Sequence, residues 1–167
     1  LDIGGTEKQF IETVRRLSWD RFDLKVLSLP CDGKLREAIE ALGIPLTCLN
    51  FSGLPGKFQW RTYIQLYQLI HKMVRYLRHE KPQIVQSYLF WANIYGSIAA
   101  KIAGVPIIIT GRRSITPPHL LQRHYRWLQN LSNRLATAII ANSQMAKHHC
   151  LQHEKYVFPE KIQVIYN

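Results

Sequence analysis

The segment from Lys81 to Ser114 constrains the fold more than any other part of this chain. It reads KPQIVQSYLFWANIYGSIAAKIAGVPIIITGRRS. A run of β-forming residues over 84–89 precedes a helical pattern over 91–103, which Gly104 ends, and an apolar run over 107–110 follows. A strand, a helix and a second buried strand predict a βαβ unit, and such a unit requires a parallel sheet with helices on both faces.

The rest of the chain continues this alternation of strands and helices. Further strands are predicted over 24–29, 46–51, 138–141 and 161–166, and further helices over 7–19, 35–42, 58–79, 120–135 and from Ser143 onward. No linker divides the chain, so we expect one doubly wound, Rossmann-like α/β domain over 1–167. Such a sheet normally has a strand directly before a glycine turn like Gly4-Gly5, so we expect the first strand to be missing.

The charge of the chain is concentrated in two segments. The formal net charge is +11; residues 57–81 hold six basic side chains against one acid, and residues 112–134 hold five arginines and no acid. Such surfaces attract polyanions: phosphates, anionic lipid headgroups or nucleic acid. No motif that reads nucleic acid is present, so we predict phosphate or lipid partners and no nucleic acid.

The cysteines and the hydropathy of the chain indicate its cellular compartment, and the spacing of the histidines argues against a metal site. Cys31, Cys48 and Cys150 lack metal-ligand spacing and lie beside apolar segments, so we expect free thiols in a reducing compartment. His149 and His153 have helical ligand spacing but no suitable third ligand, so we predict no metal site. Neither a membrane span nor a signal peptide is evident, and we expect a cytoplasmic protein, peripheral on the inner membrane face.

Polar residues follow the predicted strands at the carboxyl edge of the sheet, where parallel α/β sheets bind ligands. The candidates are Tyr88, Asn93, Arg112, Arg113, Asn142 and Ser143. Arginine suits bidentate contact with phosphate or carboxylate, and a solvated charged turn is the alternative for the two arginines. Helix capping alone is the alternative explanation of Ser143.

The residues Gly4, Gly5 and Thr6 form a second candidate phosphate site. Glycines let the backbone approach a ligand, and the first N–H groups of a helix carry its positive end. Thr6 with Gln9 three residues later predicts a capping box at the start of the helix. A simple tight turn is the alternative, and Glu7 already supplies a negative charge there.

The helix predicted over 58–79 interleaves aromatic and basic residues. One stripe at helical spacing is predicted to face the core: Tyr63, Tyr67, Ile70, Val74 and Leu77. Four other residues are predicted to face an anionic membrane or a lipid-linked substrate: Trp60, Arg61, Arg75 and Arg78. The alternative is an ordinary core-packed helix with a charged outer face.

Four segments in a fixed order give the chain a family resemblance. They are LDIGGTEKQF, the βαβ segment above, ATAIIANSQMAKHH and PEKIQVIYN. Almost end to end, the chain resembles the amino-terminal domain of family-4 retaining glycosyltransferases of the GT-B fold. The resemblance implies an acceptor-binding domain and no cofactor. It also implies that a carboxyl-terminal domain, absent here, binds the nucleoside-diphosphate sugar donor.

The resemblance also implies roles for single residues. Gly4 and Gly5 would approach the donor diphosphate, and their N–H groups would stabilise the departing phosphate. Arg112 resembles the arginine that ends the corresponding strand of the family and points into the cleft. Asn142 and Ser143 match the Asn-Ser step of the family.

The chain departs from the family pattern in one place. Many members carry histidines at the positions of Gln86 and Tyr88, where this chain offers a neutral hydroxyl at most. This variant looks like enzymes of surface-polysaccharide or lipid-linked glycan assembly. The resemblance therefore implies transfer of a sugar to a glycan or lipid-linked acceptor, with the isolated chain inactive.

Two alternatives remain open from the sequence. One is a non-catalytic module that binds anionic lipid or polyanions through the two basic segments. The other is a different GT-B enzyme, such as a sugar-nucleotide epimerase.

Overall fold

A computed structural model of the chain describes residues 4–30, 34–51, 60–113 and 123–166, without five side chains inside those ranges: Glu7, Lys34, Arg61, Arg123 and His124. The chain divides into two compact units, Leu1–Leu69 and Ile70–Asn167. The expectation of a single domain stays a prediction. The predicted turn at 31–33 and the predicted loops at 52–56 and 114–118 lie outside the described residues.

The first unit contains two short parallel strands and the helices beside them. Its elements are α1 (Gly5–Arg15), β1 (Val26–Ser28), α2 (Lys34–Ala41), β2 (Leu46–Cys48) and the start of α3 (Trp60–Glu80). The strands pair in parallel with Val26 opposite Leu46. Val14, Ile39 and Ile44 form the buried core, and this core joins α1 and α2 to the strands.

The second unit contains a four-stranded parallel sheet in the order β3-β4-β5-β6. Its elements are β3 (Ile84–Ser87), α4 (Phe90–Ala103), β4 (Ile107–Arg112), α5 (Arg123–Leu135), β5 (Ala138–Ala141), α6 (Gln144–His153) and β6 (Ile162–Val164). The predicted βαβ unit is confirmed, and so is the α/β fold class with parallel strands and helices on both faces. Ile139 and Ile162 are fully buried in the core that holds β5 and β6 to α6.

Gly104 ends α4 as predicted. Its φ of +83° lies in the left-handed region, and its N–H donates to the carbonyl of Lys101. A Cβ here would meet no described atom within 4 Å, so the need for glycine is conformational rather than steric.

Replacing Gly104 by alanine is therefore expected to lower the free energy of unfolding by about 1 kcal/mol, because alanine is strained at this φ. Gly104→Asn is the matched variant, since asparagine tolerates the left-handed region, and it should cost less. Urea unfolding of the three proteins measures both effects. Equal losses of unfolding free energy for Gly104→Ala and Gly104→Asn would contradict the conformational explanation.

The buried face of α3 differs from the predicted stripe. Val74 and Leu77 are buried as expected, but Tyr63 and Tyr67 are 64% and 71% exposed, so that part of the prediction is wrong. The other buried residues are Thr62, Leu69 and Met73. Each lies one position before a residue of the predicted stripe, which corresponds to a rotation of about 100° around the helix.

Two further predictions need correction. The capping box at Thr6 is wrong, because α1 begins at Gly5 with Gly4 as its N-cap and Thr6 lies within the helix. The expectation of free thiols is confirmed for Cys150, which is buried, and wrong for Cys48, which forms a disulfide bond, while Cys31 lies outside the described residues. Among the described residues, no helix is both long and apolar enough to cross a membrane.

Candidate functional site

The structure brings the predicted residues of the second unit together at the carboxyl edge of its sheet. Tyr88 follows β3, Arg112 and Arg113 stand at the end of β4, and Asn142 follows β5. The Asn142 side chain donates to the carbonyl of Arg113 (2.9 Å), and the guanidinium of Arg113 lies 4.9 Å from the ring centre of Tyr88. These contacts define one polar cluster at the tip of β4.

Asn93 extends the hydrogen-bond ladder of β4 beyond the end of β3. The last register pair of β3 and β4 is Ser87 with Thr110. At the next residue, the Asn93 amide donates to the carbonyl of Gly111 (2.7 Å) and accepts from its N–H (3.3 Å). Because Asn93 is 2% exposed, these bonds satisfy backbone groups that burial would otherwise leave unpaired. The described contacts of Asn93 thus hold the backbone of β4 in place.

Arg112 lies in a buried network rather than at an open edge. Its side chain is 6% exposed and pairs with Glu154, 8% exposed, at 3.3 Å. It also donates to the side-chain oxygen of Asn133 and to the carbonyl of Gly111. Asn133 in turn donates to Glu154 (2.8 Å) and accepts from Gln129. This network ties β4 to α5 and to the end of α6, and a ligand-binding role for Arg112 stays a prediction.

Sequence reasoning did not find Glu154, the residue that neutralises Arg112. It is the C-cap of α6, 42 residues further along the chain. Cys150, one turn earlier, contacts the same carboxylate at 3.5 Å. Burial, followed by the charge of Glu154, raises the pKa of the Cys150 thiol to about 12, so this thiol is protonated and unreactive near neutral pH.

Arg113 and Tyr88 form the half-buried part of the cluster. Burial raises the pKa of the Tyr88 phenol, and the charge of Arg113 and a hydrogen bond with it oppose that rise. The phenol therefore stays neutral near pH 7 and accepts from the guanidinium, which has only donors. Leu89 follows with a φ of +72°, a strained conformation for a residue other than glycine.

Ser143 caps α6. Its hydroxyl accepts from the N–H of Ala146 at 3.1 Å, which confirms the predicted N-cap. The neighbouring Asn142 N–H donates to the carbonyl of Arg112, so the backbone before α6 continues the ladder beside β4.

In the first unit, α1 begins at the two predicted glycines. Gly4 is an extended N-cap, and no described side chain caps the first N–H groups of the helix. A Cβ on Gly5 would meet no described atom within 4 Å, and both glycines are exposed. Thr6 is half-buried on the first turn. The start of α1 is therefore open on the described side, and its N–H groups provide the positive end of a helix dipole.

On α3, Trp60 is 67% exposed and Arg75 and Arg78 are exposed, and their membrane-facing role stays a prediction. Arg78 also donates to the carbonyl of Ile102 at 3.3 Å, which anchors its side chain to α4. The side chain of Arg61 lies outside the described set.

His149 and His153 lie together on α6, with ring centres 4.7 Å apart. No group of three or more histidine, cysteine or acidic side chains within the described ranges is arranged to hold a metal ion.

A family model and a curated relative match this chain over almost its whole length. The sequence model of a family described as Glycosyltransferase Family 4 matches residues 3–167. A curated Escherichia coli relative is 28% identical over 178 residues, covering 99% of this chain and 42% of that protein. Its name is UDP-Gal:alpha-D-GlcNAc-diphosphoundecaprenol alpha-1,3-galactosyltransferase. The chain thus spans about two fifths of this relative.

Solved structures also match almost the whole of this chain and about two fifths of their own length. The Anabaena protein HepE in complex with UDP superposes with a TM-score of 0.73 at 25% identity, over 98% of this chain and 41% of that one. The lipopolysaccharide outer core galactosyltransferase WaaB superposes with a TM-score of 0.68 at 17% identity, over 98% and 42%. The WaaB match shows a shared fold alone.

Proposed function

The chain belongs to glycosyltransferase family 4, and we propose that it is the acceptor-side half of an enzyme that transfers a sugar from a nucleoside-diphosphate donor to a lipid-linked glycan. The observation that carries this proposal is the polar cluster of Tyr88, Arg113 and Asn142, which stands at the carboxyl edge of a parallel sheet, where α/β folds bind ligands. A cationic cluster suits substrates that carry a diphosphate.

The two relatives support the choice of substrates. The E. coli relative takes its sugar from UDP-Gal and its acceptor carries a diphosphate on undecaprenol, and the Anabaena structure holds UDP. We therefore propose a uridine-diphosphate sugar as donor and a polyprenyl-diphosphate-linked sugar as acceptor. The E. coli relative forms an alpha linkage, and UDP-galactose carries its sugar as the α-anomer, so retention of configuration is part of the proposal.

The two candidate sites take different parts of this reaction. The open N-terminus of α1 at Gly4, Gly5 and Thr6 would bind the donor diphosphate, because its N–H groups stabilise negative charge on the leaving phosphate. The polar cluster at the tip of β4 would contact a diphosphate group of a substrate. Donor-binding groups beyond this chain complete the site, so the isolated chain should be inactive.

A lipid-linked acceptor also needs access to a membrane, and α3 offers a suitable surface. Its exposed residues combine aromatic side chains, Trp60, Tyr63 and Tyr67, with the basic Arg75 and Arg78. Aromatic side chains insert at the lipid interface and basic ones attract anionic headgroups. We propose that this surface holds the enzyme at the cytoplasmic face of the membrane as a peripheral protein.

Transfer of label tests the proposal. The complete polypeptide should move radiolabelled galactose from UDP-galactose to a lipid carrying GlcNAc-diphosphate, with the coupling constant of an α-anomer in the product, whereas the isolated chain should not. Binding to anionic vesicles without transfer to this or any other glycan-diphosphate lipid would favour a non-catalytic lipid-binding module. A β-linked product would refute retention.

A further inference from the structure

The two adjacent arginines at the tip of β4, Arg112 and Arg113, have different surroundings. Successive side chains on a strand point to opposite faces, so Arg112 and Arg113 diverge. Arg112 carries its charge into the buried pair with Glu154. Arg113, the first residue beyond β4, remains half-buried at the edge of the sheet.

The backbone that presents Arg113 is fixed from both sides. Asn93 holds both peptide groups of Gly111 on one side, and Asn142 donates to the carbonyl of Arg113 on the other. Gly111 also leaves little room for a side chain, because a Cβ would lie 3.3 Å from the carbonyl oxygen of Ser87, a tight contact. These hydrogen bonds constrain the backbone at and just before Arg113.

Tyr88 constrains the side chain of Arg113, in addition to the backbone contacts from Asn93 and Asn142. The guanidinium of Arg113 lies over the Tyr88 ring, with Cζ 4.9 Å from its centre. A guanidinium carries five N–H donors in a planar fork that suits bidentate contact with phosphate oxygens. The phenol oxygen accepts from Arg113, so the hydroxyl proton is not used in that bond.

We propose that Arg113, rather than Arg112, binds a diphosphate oxygen of the substrate. Three positioning residues hold it for that contact: Tyr88, Asn93 and Asn142. This inference rests on the proposed function for the identity of the ligand. The diphosphate could belong to the sugar nucleotide or to the lipid-linked acceptor, and the experiment distinguishes the two.

Steady-state kinetics of the complete polypeptide identify which of the two substrates carries the diphosphate that Arg113 binds. Arg113→Met should raise the KM for one of the two substrates at least tenfold, and Arg113→Lys should recover part of that loss because it keeps the charge without the fork. Tyr88→Ala should raise the KM for the same substrate, while Tyr88→Phe, which keeps the ring, should change it less. Arg126→Met, an exposed arginine of α5, is the control and should leave both KM values unchanged.

A direct binding measurement tests the role of Arg113 independently of whether the enzyme transfers sugar. Titration calorimetry with UDP and with farnesyl diphosphate needs no turnover, and Arg113→Met should weaken at least one of them tenfold. If the wild-type protein binds a ligand in this way but transfers no sugar, the proposed function fails and the inference holds. If Arg113→Met binds both ligands within twofold of the wild type, the inference is overturned. Thermal unfolding of each variant confirms that it is folded.

Discussion

Replacing Arg112 by methionine is expected to destabilise the second unit by about 3–5 kcal/mol, the cost of leaving a buried carboxylate without its partner. The Glu154 side chain is only 8% exposed and accepts hydrogen bonds from Arg112, Asn133 and the Cys150 thiol, of which Arg112 alone carries a charge. Methionine keeps much of the volume of the arginine stem, so the loss should reflect charge rather than packing. Urea unfolding, with hydrogen exchange of β4 and β5 amides, measures it.

A double-mutant cycle completes this test. Glu154→Gln alone should also destabilise, and the variant with both substitutions should be more stable than the sum of the two losses predicts, because neither charge is then left alone. Arg126→Met is the exposed control and should change the unfolding free energy by less than about 0.5 kcal/mol. A loss below about 1 kcal/mol for Arg112→Met would show that the pair does not hold the sheet to α6.

The largest effect on activity is expected from Gly5→Ala in the complete polypeptide. The new methyl group would meet no described atom of the protein within 4 Å, and Gly5 does not have a positive φ, so folding should be unaffected. A diphosphate drawn close to the first N–H groups of α1 would be displaced by about the size of that methyl group. A displacement of ~1 Å costs about a hundredfold in rate, and we expect that loss in kcat/KM for the donor.

Thr13→Ala provides the control, since this exposed residue lies two turns further along the same helix. It should retain the wild-type kcat/KM. Wild-type activity of Gly5→Ala, with α1 intact, would remove Gly5 from the donor site.

Much of the second unit was predictable because its signals are local. The strand and helix periods between Ile84 and Arg112, the stop at Gly104 and the cap at Ser143 depend on neighbours within a few residues. The gathering of polar residues at one edge followed from topology alone, because parallel strands all end on the same side.

The roles of the two arginines were not predictable, because they depend on contacts far away in the sequence. Arg112 and Arg113 are chemically identical neighbours, and only the position of Glu154, beyond α6, assigns one of them to the buried ion pair. Asn93 likewise reads as a polar residue near a strand end, while its contacts to Gly111 show that it completes a ladder.

The wrong prediction of the buried stripe on α3 has a different cause. Overlapping stripes of similar apolar character run along this helix, and periodicity does not indicate which one meets the core. The partly polar stripe through Thr62 is buried, and Tyr63 and Tyr67 are left exposed. Their exposure gives α3 the aromatic surface on which the proposed membrane contact depends.

The most direct test is the structure of the complete polypeptide with a UDP-sugar and a lipid diphosphate bound, in which two distances are measured. We expect the Gly5 amide nitrogen to lie about 3 Å from an oxygen of the donor diphosphate. We also expect the Arg113 guanidinium to lie at a similar distance from a diphosphate oxygen of either substrate. Diphosphates held wholly by other residues, with Gly5 and Arg113 out of contact, would contradict both expectations.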